Sequence, residues 1–329
     1  MVISVGSLFG TTEPRPRQLR LPTPIQDKLL TIAVTEADLA PFLGPANRLA
    51  APTRMVEIEA HLLDAFAATG WQVTRQPVQN SGATGANGVA VKRGARPDMV
   101  VVGAHFDTVD GTPGADDNAA GVAALIALGR ALAPFHFERS IVLVAFDFEE
   151  TGFAGSLAFV EAHRTAISAA LILECIAYAD QRANSQLVPR GFELLYGQQI
   201  ARLQAREHRG DSLAVLYNRA SKGLAATLAG ASQPNDLPTI ALHNPTDVPL
   251  LGYLLRRYFP AARHFARSDH LAFWRAGIPA LQLTDTADFR NPHYHAPSDT
   301  PDTLDYTFLN KVVRAIAMAI AHLAGFQES

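Results

Sequence analysis

The segment MVVVGAHFDTVDGTPGADDNAAG, residues 99–121, is the part of the sequence that most clearly indicates a fold class. It begins with a short apolar run, continues through a loop rich in glycine and acidic residues, and ends where a helical pattern starts. A Val-rich run that leads through a loop into a helix is typical of a buried strand in a parallel sheet. His105 and Asp107 directly follow the run, at the end of the strand where open α/β sheets place their ligand sites.

Three further apolar runs of the same type follow, at 141–146, 169–176 and 278–283. They alternate with helical segments such as 119–133 and 156–163. This alternation predicts an α/β fold, a single domain with a central mixed, mostly parallel β-sheet flanked by helices on both faces.

The chain has 329 residues and 48% apolar content, which suits one large domain. Residues 1–53 are rich in proline and poor in periodic apolar positions, so we expect an extended N-terminal arm packed on the domain formed by 54–329. The Gly- and Asn-rich segment 80–88 is expected to be a hairpin loop. Residues 180–250 show weaker periodicity and are interpreted as an elaboration of the same domain.

The composition excludes several classes of partner. The formal net charge is −3 and only 18% of residues are charged, so no basic surface supports binding to nucleic acid or to an anionic membrane. The longest apolar helical segment, 308–324, is interrupted by Lys311, Arg314 and His322 and is expected to be an amphipathic helix. No signal segment is visible in residues 1–17, so we expect a cytoplasmic location.

Acidic and histidine residues recur where the predicted strands end. Taken alone, His105 fits a surface residue and Asp117 fits a helix N-cap. Glu174 is different, because a carboxylate inside an apolar run needs a cation or hydrogen-bond partners. Several such positions in one domain indicate a metal centre. They are His105 with Asp107, Asp117, the pair Glu149 and Glu150, Glu174, and the loop RNPHYHAPSDT at 290–300.

Together these motifs resemble those of the zinc aminopeptidases of the M28 type. The resemblance rests on GAHFDTV, GADDNAAG, FEETGFAGS and YHAPSDT, in the order found in that family, and it covers about 100–176 and 265–324. It implies a zinc metallo-exopeptidase with two Zn²⁺ ions, which hydrolyses the N-terminal bond of a peptide that has a free N-terminus. It also implies a cis peptide bond between Asp117 and Asn118.

The resemblance further assigns roles to single residues. It implies that one zinc is held by His105 and Glu174 and the other by Glu150 and His295, while Asp117 bridges the two. Three other positions are implied to be catalytic: Glu149 as the general base, Asp107 as the acceptor of the second ring N–H of His105, and Tyr294 as the hydroxyl that stabilises the oxyanion. His293 is a weaker candidate than His295. The segment RSDHLAFW is also similar to the family and is expected to bring Ser268, Asp269 and His270 near the pocket.

Three other functions are compatible with the sequence. A zinc acyltransferase similar to glutaminyl cyclase would use the same sheet, but the intact His105 disfavours it. An aminoacylase or carboxypeptidase usually carries an inserted dimerisation domain, for which 180–250 is too short. A non-catalytic binding protein on this fold normally shows substituted ligands, and none is substituted here. Arg290 and Asn291 are candidates either for substrate contacts or for a solvated loop.

Overall fold

The computed structural model describes residues 13–247 and 252–327. The prediction that no signal segment is present rests mainly on residues 1–12, which lie outside the described residues. None of the helices in the described ranges combines the length and the apolar character that a membrane-spanning segment needs.

An eight-stranded mixed sheet forms the centre of the domain, with strand order β1-β2-β5-β3-β6-β9-β7-β8. Four of its seven strand pairs are parallel, and the antiparallel pairs are β1/β2, β2/β5 and β7/β9. A separate two-stranded sheet pairs β4 with β10. The strands are β1 Gln72–Asn80, β2 Ala83–Lys92, β3 Arg96–His105, β4 His136–Phe137, β5 Arg139–Phe146, β6 Ile167–Leu173, β7 Leu213–Tyr217, β8 Thr239–His243, β9 Ala280–Thr284 and β10 Phe326–Gln327.

The four apolar runs found in the sequence form the middle of this sheet. They are strands β5, β3, β6 and β9, which lie side by side and are parallel to one another. Their side chains alternate between two buried apolar clusters on opposite faces, which explains why the runs carry almost no polar residues. The predicted fold class is therefore confirmed.

Helices cover both faces of the sheet. The helices of the described residues are α1 Thr23–Leu29, α2 Glu36–Leu39, α3 Pro52–Ala67, α4 Ala120–Leu132, α5 Ala154–His163, α6 Phe192–Leu195, α7 Gly197–Ala205, α8 Lys222–Ser232, α9 Gly252–Tyr258, α10 His270–Arg275 and α11 Tyr306–Leu323. The larger apolar cluster includes side chains from α3, α4, α8 and α11, and the smaller cluster on the opposite face includes side chains from α5 and α10.

The segment 80–88 is not the hairpin loop that the sequence predicts. The turn consists of Ser81 and Gly82, and strand β2 begins at Ala83 and pairs with β1 as far as Val91. The small residues of this strand allow neighbouring side chains to pack closely against its backbone. A Cβ at Gly85, for example, would lie 2.1 Å from Oδ2 of Asp147.

The described part of the N-terminal segment, residues 13–53, differs in one respect from an extended arm. It contains the short helices α1 and α2. Leu29, Leu39 and Phe42 are buried in the main apolar cluster, so this segment contributes to the core of the domain. The helices form because burial of these apolar side chains compensates for a proline-rich composition.

Within the predicted elaboration, the described residues 180–247 extend the sheet and border a cavity. Strands β7 and β8 form one edge of the central sheet, next to β9. Helices α6 and α7 pack against β7 through Phe192, Leu195 and Tyr196, in a third apolar cluster. This elaboration lies beside the strand ends that carry the candidate site.

Candidate metal centre

The parallel strands bring the predicted residues together at one edge of the sheet. Strand β3 ends at His105, and β6 ends at Leu173, directly before Glu174. The turn after β5 supplies Glu149 and Glu150. The carboxyl ends of neighbouring parallel strands meet at the same edge, so these side chains converge although they are far apart in sequence.

Asp117 lies at the centre of the cluster, between the two histidines. Its Oδ1 is 3.1 Å from Nε2 of His105, and its Oδ2 is 3.1 Å from Nε2 of His295. The same His105 atom is 3.4 Å from Oε2 of Glu174, and Nε2 of His295 is 3.7 Å from Oε1 of Glu150. The five residues thus form two groups that share Asp117. The peptide bond between Asp117 and Asn118 is cis, as the resemblance implied.

The donor set fits divalent metal ions. Among the described residues, neither Nε2 of His105 nor Oδ1 of Asp117 has a hydrogen-bond partner, although both atoms are buried. These two atoms face each other at 3.1 Å, and buried polar atoms that complete no hydrogen bond call for a physical reason. A cation between them supplies that reason, since imidazole nitrogens and carboxylate oxygens are ligands suited to Zn²⁺.

The charges of the cluster also favour a bound cation. Burial, together with the charge of Asp117, raises the pKa of Glu150 to about 9. Burial also raises the pKa of Glu149 well above its usual range, and the charges of Glu174 and Asp269 add to this effect. These carboxylates repel one another in a site of low polarity, and a divalent cation relieves that repulsion.

The two histidines and Asp117 stabilise one another. Burial disfavours the charged form of His105, but the carboxylates of Glu174 and Glu149 outweigh it and hold the pKa of His105 well above its usual value. Burial acts against ionisation of Asp117 as well, yet His105 and His295 hold the pKa of Asp117 well below its usual range. Asp117 is therefore ionised and available as a bridging ligand.

Asp107 approaches Nδ1 of His105 more closely with its main-chain carbonyl than with its carboxylate. Its backbone carbonyl oxygen lies 2.9 Å from Nδ1 of His105, whereas its carboxylate Oδ1 is 3.7 Å away. The carboxylate instead accepts the backbone N–H groups of Glu149, at 3.0 Å, and Glu150, at 3.1 Å. Asp107 therefore positions the turn that carries both glutamates, and its main chain orients His105.

Tyr294 lies beside the cluster with its hydroxyl available as a donor. Its ring stacks on His295 at 3.8 Å between centroids, and its hydroxyl oxygen accepts a hydrogen bond from Nη2 of Arg267 at 3.2 Å. Burial and the negative charge of Asp117 raise the pKa of Tyr294 far above its usual value. The phenol stays protonated, and because Arg267 donates to its oxygen, the O–H hydrogen is free to bind another acceptor.

Two residues support the ligands although the sequence analysis predicts no such role for them. Asp299 accepts the backbone N–H groups of Asp116, at 2.9 Å, and Asp117, at 3.2 Å, and so fixes the bridging residue. Ser268 donates to Oε2 of Glu174 at 2.7 Å. Both lie inside segments that carry the family resemblance, which is the signal that marks them.

Other candidates have partners away from the cluster. Nδ1 of His293 is 3.0 Å from Oγ of Ser298, which leaves His295 as the histidine that approaches Asp117. Arg290 is buried and donates to Gln186, Tyr178 and Ser212, so it is not part of a solvated loop. The remaining two are also internal. Asn291 donates to Asp116, and His270 is buried with Nε2 3.1 Å from the carbonyl oxygen of Phe265.

A mostly apolar cavity opens beside the cluster. It encloses about 910 Å³, part of it open to solvent, between the sheet and helices α6 and α7. Glu174, Tyr294 and Arg267 lie at its wall together with apolar side chains such as Phe192, Leu216 and Phe265. A cavity of this kind suits an apolar group attached to a polar one that is held at the metal ligands.

The fold and this site define a hydrolase of the metallopeptidase class. The sequence model described as peptidase family M28 matches residues 87–224 and 249–320, and the chain belongs to that family. Among curated proteins, it is similar to the uncharacterized protein YfbL of Escherichia coli, with 31% identity over 275 residues. That match covers 78% of this chain and 76% of YfbL.

Solved structures share the fold at lower identity. The LapA aminopeptidase of Legionella pneumophila superposes with a TM-score of 0.70 at 20% identity, over 93% of this chain and 78% of LapA. The zinc aminopeptidase BSAP of Bacillus subtilis gives a TM-score of 0.52 at 18% identity, over 74% and 51%. The glutaminyl cyclase of Fimbriiglobus ruber gives 0.58 at 18% identity, over 93% and 97%. The chain is thus a metallopeptidase with the aminopeptidase fold, and that fold also occurs in a cyclase.

Proposed function

We propose that this protein is a di-zinc aminopeptidase, which removes the N-terminal residue of peptides that have a free N-terminus. The observation that carries the proposal is the pair of ligand groups that share Asp117. His105 and Glu174 approach one of its oxygens, and His295 and Glu150 approach the other side. In this proposal, these residues hold two Zn²⁺ ions, with Asp117 as the bridge. Zinc in such a site supplies Lewis-acid charge, which lowers the pKa of water and polarises a carbonyl group.

Glu149 is the proposed general base. Its carboxylate lies within 4.8 Å of ligand atoms of both His105 and Glu174, and Asp107 holds its backbone. From this position it takes the proton of the attacking water and passes it to the amine that leaves. Tyr294 donates its hydroxyl hydrogen to the carbonyl oxygen of the scissile bond, where negative charge develops.

The charge around the site explains the proposed preference for a free N-terminus. The Glu149 and Glu174 carboxylates are buried close to each other, with Glu174 at the wall of the cavity, and they attract an ammonium group. The apolar part of the cavity takes the side chain of the N-terminal residue. An acetyl cap removes the positive charge and adds bulk close to these carboxylates.

Metal analysis and a matched set of substrates test the proposal. We expect two zinc ions per chain at saturation, and slower cleavage of an N-acetylated peptide than of its free counterpart by roughly 10²-fold, if the ammonium contact contributes about 3 kcal/mol. Equal rates on the two peptides would point to an amidase or an endopeptidase. A fully active protein with one ion, which cyclises a peptide that begins with glutamine, would support the cyclase alternative.

A further inference from the structure

Segment 44–48 of the N-terminal arm contacts the loop that leads from His105 to Asp117. The amide of Gly44 donates to the carbonyl oxygen of Pro113 at 2.9 Å. Ala46 and Thr108 exchange two bonds, since the Ala46 amide donates to Oγ1 of Thr108 at 3.0 Å and the Thr108 amide donates to the carbonyl oxygen of Ala46 at 2.8 Å. This segment is therefore fixed against the loop that carries two of the ligands.

Arg48, at the end of this segment, reaches the turn after strand β5. Its Nε donates to Oδ2 of Asp147 at 2.8 Å, and its Nη2 donates to Glu59 of helix α3. The Arg48 and Asp147 side chains are 5% and 0% exposed, so the pair is shielded from water. A planar guanidinium that binds two carboxylates in a buried site imposes a defined geometry on both of them.

Asp147 in turn fixes the backbone two residues before Glu149. Its carboxylate accepts hydrogen bonds from the backbone N–H groups of Ala86 and Phe148, each at 3.0 Å. Phe148 has a φ of 63°, which is unfavourable for a residue with a side chain, so this turn depends on outside contacts. The Asp147 carboxylate binds the turn at the Phe148 amide, and the Asp107 carboxylate binds it one residue later, at the Glu149 amide.

We propose that Arg48 is a positioning residue of the catalytic centre, which acts through Asp147 to aim the turn that carries Glu149. This inference rests on the proposed role of Glu149 as the base. The arm is then part of the catalytic scaffold, although Arg48 touches neither a proposed ligand nor the substrate site.

The electrostatics of Asp147 support this role. Burial raises its pKa to about 7 even though the charge of Arg48 acts in the opposite direction. Without the Arg48 guanidinium, the neutral carboxylic acid is favoured further, and an oxygen that carries a proton is a weaker acceptor of an amide hydrogen than a carboxylate oxygen. Loss of Arg48 therefore weakens the bonds to Ala86 and Phe148, and the turn loses one of its two supports.

Three variants test the proposal. Arg48→Met keeps the apolar stem but removes the guanidinium, and Arg48→Lys keeps the charge without the planar fork. Arg75→Met is the matched control, because Arg75 pairs with the same Glu59 from a half-exposed position and has no bond to Asp147 among those of the described residues. Zinc content, kcat, KM and amide hydrogen exchange at Ala86 and Phe148 are measured for all three proteins and the wild type.

For Arg48→Met we expect faster exchange at both amides, unchanged zinc content, KM within about threefold of wild type, and a kcat lower by roughly 10- to 100-fold, since a small misplacement of a catalytic group is enough for such a loss. Arg48→Lys should be intermediate and Arg75→Met close to wild type. The proposal is wrong if Arg48→Met has the same amide exchange and the same kcat as the control. It is also wrong if the loss of kcat is explained by a loss of zinc. If Arg48→Met does not fold, Arg48→Lys is compared with the control on the same terms.

The exchange measurement separates this proposal from the proposed function. A wild-type protein that binds zinc but cleaves no free peptide contradicts the aminopeptidase assignment, whereas faster exchange in Arg48→Met still shows that Arg48 holds the turn. Unchanged exchange with an active wild-type enzyme contradicts the role of Arg48 alone.

Discussion

Two neighbouring glutamates in one turn have different surroundings and, in our proposal, different functions. Oε1 of Glu150 lies 3.7 Å from Nε2 of His295, the histidine that faces Oδ2 of Asp117. Glu150 also has a carboxylate oxygen within 4.8 Å of ligand atoms of His105 and Asp117, whereas the carboxylate of Glu149 lies near His105 and Glu174. Both glutamates follow Phe148, which has a φ of 63°, and Asp107 accepts the backbone N–H groups of both.

Substitution of each glutamate by glutamine separates the two roles. Glu149→Gln should keep the zinc content and lower kcat by about 10²- to 10⁴-fold, because it removes only the proton acceptor. Glu150→Gln should lower the zinc content as well, because it removes a proposed ligand. Zinc analysis and steady-state kinetics on a free aminoacyl peptide measure both effects. A kcat close to wild type in Glu149→Gln would show that another group is the base.

At the scale of a single element, helix α10 buries a histidine at its first position. His270 is fully enclosed, with its ring 4.4 Å from that of Trp274 and its Nε2 near the carbonyl oxygen of Phe265. Burial lowers the pKa of His270 to about 4, although the hydrogen bond to Phe265 acts in the opposite direction. The neutral ring packs the helix against the smaller apolar cluster on that face of the sheet.

This buried ring makes stability depend on pH. Below the unfolded pKa of about 6.5, the unfolded chain protonates His270 and the folded chain does not, so the contribution is complete above about pH 6.5 and is lost as the pH falls toward about 4. Between about pH 7.5 and pH 5, the wild type should lose roughly 2 kcal/mol more than His270→Gln. Denaturant unfolding of both proteins at the two pH values measures the difference. Parallel losses in the two proteins would show that His270 does not titrate in this way.

At the scale of the whole molecule, the proposed metal ions join parts of the chain that are far apart in sequence. The ligands come from β3, the loop before α4, the turn after β5, the end of β6 and the loop before α11. Ions that bind only the folded state stabilise all of these connections at once. Without ions, burial and neighbouring charges raise the pKa values of Glu149 and Glu150, so that ionised carboxylates are unfavourable around Asp117.

Removal of metal should therefore lower both activity and thermal stability. After treatment with a chelator, we expect loss of peptide hydrolysis and a fall in Tm of roughly 5–10 °C, with both restored by added zinc. Scanning calorimetry and a parallel activity assay follow the two properties. A chelated protein that keeps the Tm of the untreated protein would show that the cluster does not need a cation to fold.

The central sheet could be predicted from the sequence, and so could the clustering of the candidate residues at its edge. Runs such as 99–104 and 141–146 are apolar because the strands they form are buried on both faces, and that pattern is local. The five proposed ligands, Glu149 and Tyr294 follow these strands in motifs that a family resemblance recognises, and the structure brings them together. Their proposed roles remain predictions for the experiments above.

Tertiary structure decided the features that depend on contacts between distant segments. Residues 80–88 form a turn and a strand because Gly85 must pass close to Asp147, which composition does not show. The carboxylate of Asp107 accepts two backbone N–H groups of the Glu149 turn, which only the folded chain brings to it. Arg48 lies 99 residues from Asp147 and carries no local motif, so only folding reveals the contact. Hydrophobic periodicity depends on neighbouring residues and can be read from the sequence, whereas the partner of a buried charge depends on how distant segments pack.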